Sequence, residues 1–203
     1  MNLITYGGHM TDRRRAGARV FWATLLVLAG SVVSVGAAST APDFTLPDTK
    51  GHEVTLSKLL EDGPVVLDFW ATWCKPCIKA FPELQEVQDE FGPCGLRVVT
   101  VSIDGPRSVS RVAPFVKSKG HTFDVVLDTA QRVAKKYHVT SVPRTVLVDT
   151  NGNVAYSVIG YRPGNHAKLV AEIRKLLPEE CPEEDAGEEP AGDAVPEGKV
   201  EGE

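Results

Sequence analysis

The sequence predicts an α/β fold: a mixed sheet flanked by helices on both faces, preceded by an N-terminal β-hairpin. Three observations carry this. Short Val-rich runs such as "PVVLDFWA" (64–71) and "LRVVTVSID" (96–104) read as strands buried on both faces. Segments of helical period alternate with these runs, which makes the early strands parallel. A late pair of apolar runs joined through Asn151-Gly152 reads as an antiparallel hairpin.

The elements follow in order. "APDFTLPDTKGHEVTLSKLL" (41–60) holds two short alternating runs, 44–46 and 53–56, around the turn cluster "PDTKG", and leads into a short helix. After the strand at 64–71, Pro76 falls in the first turn of a helix, where its missing N–H costs nothing. Ile78, Phe81, Leu84, Val87 and Phe91 keep the helical period; Pro82 inside it predicts a kink, and "FGPCG" ends it. Then come a strand (96–104), a helix closed by Gly120 (108–120), a strand (123–128), a helix (131–139), the hairpin (144–160) and an amphipathic helix (166–177). There are no internal repeats.

Charge divides the 203 residues into three parts. Residues 1–38 carry four arginines and one aspartate, then the uncharged run "VFWATLLVLAGSVVSV" and the small residues "VGAAS". This pattern reads as a cleaved export signal, with an uncleaved membrane anchor as the alternative. Either places the domain, 39–177, outside the cytosol. Residues 178–203 hold eleven acidic residues and one lysine among Pro and Gly, and read as an acidic disordered tail. The body between is nearly neutral, and no basic stripe points to nucleic acid.

The chemistry centres on "DFWATWCKPC" (68–77). The Cys74–Cys77 spacing puts Cys74 at the start of the Pro76 helix, where unpaired N–H groups and the helix dipole stabilise a thiolate. Cys77 lies one turn in, within reach of a mixed disulfide formed on Cys74. A structural disulfide across so short a loop gains little chain entropy. A metal site needs two more soft or imidazole ligands at suitable spacing; Cys94 and Cys181 are isolated, so no metal site is predicted. A redox couple is the reading that fits, with no further cofactor. Asp68 stands inside an apolar strand, and burial of its carboxylate raises its pKa.

"DFWATWCKPC" resembles the thioredoxin superfamily active site. Together with "APDFTLPDTKGHEVTL" before it and "VPRTVLVDTNGNVAYSVIGY" after it, it resembles the TlpA/ResA branch of exported thiol–disulfide oxidoreductases, over about residues 41–177. The peroxiredoxins share the N-terminal hairpin, but their Thr-x-x-Cys signature is absent, since Thr72 is only two residues before Cys74. The resemblance implies a thioredoxin-like fold with Cys74 as attacking thiol and Cys77 as resolving thiol. It implies that Trp73 covers the site, that Val142-Pro143 is the cis-proline pair beside which substrate backbone binds, and that Asp68 is the proton acceptor for Cys77. Arg144 stands where cytochrome-maturation members carry an acid, and is expected to favour a thiolate and an acidic substrate surface. Lys75 is expected to raise the reduction potential.

In a thioredoxin-like fold, the helices preceding Cys94 and Cys181 both run away from the active site on one sheet face. That implies a structural Cys94–Cys181 disulfide. Closing 87 residues would contribute up to about 4–5 kcal/mol in chain-entropy terms. His52, His121, His138 and His166 read as solvated. The expected activity is reduction of disulfides in partner proteins, of cytochrome c or copper-site maturation type, with electrons from a membrane donor. The alternatives are a Cu(I)-binding metallochaperone-like module, or a disulfide oxidant or isomerase.

Overall fold

The computed structural model describes residues 39–177. The predicted signal or anchor, the acidic tail and Cys181 lie outside the described residues. A hairpin of β1 (Thr45–Pro47) and β2 (Glu53–Thr55) opens the domain and runs into the one-turn α1 (Leu56–Leu59). Its turn is held by Asp48, whose carboxylate accepts N–H bonds from Lys50 (2.7 Å) and His52 (2.9 Å), with Gly51 at φ +92.

The main sheet has five strands in the order β5-β4-β3-β6-β7. β3 (Val65–Trp70), β4 (Arg97–Ser102) and β5 (Asp124–Leu127) are parallel, with crossovers through α2 (Lys75–Phe91) and α3 (Val112–Lys119). β6 (Arg144–Val148) pairs antiparallel with the central β3, and β7 (Val154–Ile159) antiparallel with β6. The mixed sheet follows from the connections: a helical crossover between early strands, a short turn between late ones.

All six residues of β3 are buried, because both sheet faces are covered. Val66 and Trp70 join Phe81, Leu84 and Val87 of α2 and Ile173 of α5 (Asn165–Leu176). Val65, Leu67 and Phe69 join Phe44, Leu56, Val133 and Tyr137 on the other face, under the hairpin, α1 and α4 (Arg132–Lys136). Burying each such side chain stabilises the fold by roughly 1.5–3 kcal/mol.

Local details depart from the pattern in places. Pro82 lies within α2 without ending it. The helix expected over 108–120 begins as a 3-10 turn at Val109–Arg111 and ends on Gly120 at φ +69. The β6–β7 connection is five residues long rather than the two of a tight Asn-Gly turn. Asp149 accepts N–H bonds from Asn151 (3.0 Å) and Asn153 (2.7 Å), which widens the loop.

Both ends of the described chain lie at one pole. Val154 N–H donates to the Ser39 carbonyl and Ala41 N–H to that of Gly152, both at 2.8 Å, so the chain enters beside the β6–β7 turn. α5 runs parallel to α2: His166 lies within 4.0 Å of Glu83, and Arg174 bonds Glu90 at 2.8 Å. Both helices therefore end away from Cys74. Among the described residues no helix is long and apolar enough to cross a membrane.

Candidate active site

β3 leads straight into the site. Its last residue, Trp70, is buried against Phe81 (4.8 Å between ring centroids) and Phe115 (5.7 Å), which fixes where the strand ends. Four residues later Cys74 is the N-cap of α2: its sulfur accepts the Cys77 N–H at 3.2 Å, and Pro76 occupies the first turn. Cys74 and Cys77 form a disulfide, with S–S 2.06 Å and Cα–Cα 5.3 Å. Both sulfur-bearing residues are buried, Cys77 completely. An N–H donor aimed at the Cys74 sulfur is the arrangement that stabilises a thiolate on reduction.

The loop before Cys74 is held by a residue that the sequence reading passes over, Asp104. This carboxylate follows β4 and is fully buried. Its Oδ2 accepts the Thr72 N–H at 2.8 Å and its Oδ1 the Thr72 hydroxyl at 2.6 Å; Ser102 donates a further hydroxyl at 3.0 Å. Burial pushes its pKa up, but donors from Thr72, Ser108 and Ser102 outweigh burial and hold it below the usual range. An ionised Asp104 thus pins Thr72 by main chain and side chain, two residues from the sulfur. The available signal was a lone carboxylate closing an apolar strand just before Gly105.

Asp68 is the opposite case. It sits mid-strand on the α2 side of the sheet, between Val66 and Trp70, and is fully buried. Thr145 on β6, its register partner, donates a hydroxyl bond to Oδ1 at 2.8 Å; Oδ2 has no partner among the described residues. Burial raises its pKa to about 7, with the Thr145 bond only partly offsetting it. The carboxyl is poised to exchange a proton near neutrality, on the same face of the sheet as Cys77.

The Val142–Pro143 peptide is cis, and Pro143 is buried at the start of β6. Phe69 pairs with Arg144, so Pro143 comes to the end of β3, where the cysteine loop departs. Gly160 N–H donates to the Pro143 carbonyl at 2.7 Å. Pro143, Ala80, Thr145, Tyr161 and His166 border a small cleft beside α2. Trp73, directly before Cys74, is 64% exposed.

Arg144 lies elsewhere than beside the thiols. Strand alternation sends it to the face opposite α2, where its guanidinium reaches Ser157 at 3.3 Å. Lys75 is exposed on the first turn of α2. Cys94, in the turn after α2, is disulfide-bonded and half-buried; its expected partner Cys181 is outside the described residues. Two histidines are less solvated than expected. His121 stacks on Phe123 at 4.9 Å, and burial lowers its pKa; His166 is half-buried beside Glu83 and Glu86. Among the described residues no group of three or more His, Cys, Asp or Glu is placed to hold a metal ion.

Residues 37–157 match the AhpC/TSA family. The chain belongs to that family. This AhpC/TSA protein is 39% identical over 130 residues to the thiol-disulfide oxidoreductase ResA of Geobacillus kaustophilus, covering 64% of its own chain and 72% of that relative. It is 40% identical over 127 residues to ResA of Bacillus subtilis, covering 63% and 69%. A solved structure from Chlorobium tepidum, assigned as the thiol:disulfide interchange protein DsbE, superposes with a TM-score of 0.64 at 32% identity, covering 68% of this chain and 96% of that one. The AhpC/TSA protein described here is therefore a thioredoxin-like thiol–disulfide oxidoreductase, and protein thiols and disulfides are its substrate class.

Proposed function

We propose that this oxidoreductase works outside the cytoplasm as a reductant of partner-protein disulfides, of the cytochrome c or copper-site maturation type, recharged by a membrane electron donor. The observation that carries the reading is the buried Cys74–Cys77 disulfide at the N-cap of α2. In the reduced protein, Cys74 attacks a substrate disulfide as thiolate and forms a mixed disulfide. Asp68 takes the proton of Cys77, which then attacks Cys74 and releases the substrate as dithiol.

The direction of electron flow follows from what stabilises the reduced form. A strong oxidant owes its potential to a stabilised thiolate. Here burial of both cysteines opposes that charge, and an ionised Asp68 on the same sheet face opposes it again. Lys75 is exposed, so its charge is screened, and Arg144 is on the other face. These features favour the disulfide form of the protein and thus reduction of substrate.

A redox titration tests this. A potential near that of thioredoxin, about −270 mV, is expected; one near about −120 mV would make the protein an oxidant instead. Asp68→Asn is expected to slow release of substrate from the mixed disulfide on the order of 100-fold. Fractionation of cells should recover the protein outside the cytoplasm.

A further inference from the structure

Asp68 poses a problem of access. A base that takes the Cys77 proton on every turnover must also lose it, yet no part of Asp68 reaches solvent. Around it on that face Val66, Trp70, Val98 and Leu147 are fully buried, and the other flanking hydroxyl, that of its β4 register partner Thr100, is donated to the Asp124 carbonyl at 3.2 Å. Among the described residues its one hydrogen-bond partner is the Thr145 hydroxyl, at 2.8 Å.

Thr145 is only half-buried, and it lines the cleft between α2 and the β6–β7 end of the sheet. That cleft has about 30 Å³ of room, enough for a water molecule. Its outer wall carries polar groups: Glu83 from α2, His166 from α5, and Tyr161, whose hydroxyl donates to Glu83 at 2.7 Å. The line from Asp68 outward thus passes through one hydroxyl, then a water-sized space, then a carboxylate open to solvent.

We propose that the Thr145 hydroxyl is the proton conduit between buried Asp68 and solvent in this cleft. The proposal rests on the reading of Asp68 as the base for Cys77. When Asp68 is ionised, Thr145 donates to it. Once Asp68 has taken the Cys77 proton, the bond reverses: the carboxylic acid donates to the Thr145 oxygen, and Thr145 passes its own proton to water in the cleft. The Cys77 thiolate forms the bond to the Cys74 sulfur, and the bond from Cys74 to the substrate sulfur breaks. The substrate leaves as a thiolate and is protonated from solvent. Two electrons pass from the cysteine pair to the substrate disulfide, and the proton lost by Cys77 leaves through the cleft.

A hydroxyl that relays protons and one that only packs differ in which substitution harms more. Thr145→Val keeps the volume and removes the relay. Thr145→Ala leaves space for a water in its place. Thr145→Ser keeps the hydroxyl. The reduced protein is mixed with an aromatic disulfide whose thiolate absorbs visible light, and the second thiolate released reports attack by Cys77. Thr145→Val is expected to slow that second phase about tenfold, Thr145→Ala by less, and Thr145→Ser within about twofold of the native rate. The first phase, attack by Cys74, should not change. If Thr145→Val runs at the native rate, if Thr145→Ala is slower than Thr145→Val, or if Thr145→Ser is as slow as either, the conduit is wrong. Asp68→Asn separates the two levels. A native second phase in Asp68→Asn removes the base and the conduit together. A slow Asp68→Asn beside a native Thr145→Val removes the conduit alone.

Discussion

Two carboxylates flank the active-site loop: Asp68 in the middle of β3, and Asp104 just past the end of β4. Neither has measurable exposure. Among the described residues Asp68 receives one hydroxyl bond and keeps one oxygen unpartnered, and its pKa rises to about 7. Asp104 receives two bonds from Thr72 and another from Ser102, and its pKa falls. Two carboxyls without exposed surface therefore have opposite charge preferences: Asp68 lies deep in the apolar core with one donor, and Asp104 lies shallower, at a strand end, with several. The chain that needs a proton carrier leaves a carboxyl underdressed; the chain that needs a fixed loop surrounds one with donors.

The strongest test of this contrast is the pH dependence of stability. Asp68 is protonated more readily in the folded protein than in the unfolded chain, so its contribution is fully present below pH 4. It is lost as pH rises through the folded pKa of about 7. The gap between 3.8 and about 7 corresponds to about 4 kcal/mol. Denaturant unfolding of the oxidised protein at pH 4 and pH 8 should show this decline, and Asp68→Asn should abolish it. An unchanged slope in Asp68→Asn would put an ionised carboxylate in the sheet and break the contrast.

Asp104→Ala comes next. It leaves the Thr72 N–H and two hydroxyls without their acceptor and should destabilise the protein by about 3 kcal/mol at pH 7. Asp104→Asn, which keeps one acceptor, should cost about half as much. The sign with pH is opposite to that of Asp68. A depressed carboxyl stabilises above its unfolded pKa and loses that contribution as pH falls, so native protein and Asp104→Asn should converge in acid. Smallest is Thr72→Val, which removes one of the two Thr72 bonds, for about 1 kcal/mol in the same unfolding assay. A Thr72→Val protein as unstable as Asp104→Ala would shift the whole grip to the hydroxyl.

The pattern of strands and helices was legible because β3 and β4 are apolar throughout and α2 repeats its apolar residues on one face. The cysteine spacing and the burial of Asp68 were legible for the same reason: a charge inside "VVLDFW" has nowhere to face but the core. What escaped the sequence depends on pairing across the chain. Thr145 matters because register sets it opposite Asp68, and Asp104 because two strand ends meet at Thr72. Arg144 was placed near the thiols by its position after Pro143, but strand alternation turns it to the other face. The wide β6–β7 loop escaped because Asp149 competes for the N–H groups that a tight turn would use.

The meeting of both chain ends at the β6–β7 pole has a geometric consequence. Ser39 is bound beside that turn, and α5 carries the chain to Leu177 at the same end, while Cys74 lies at the other. A tether attached at either end, whether a lipid-embedded segment, a fused domain or an immobilising tag, holds the molecule by its base. The active-site end then points away from the attachment like the head of a pin, free to meet large partners without obstruction from the tether.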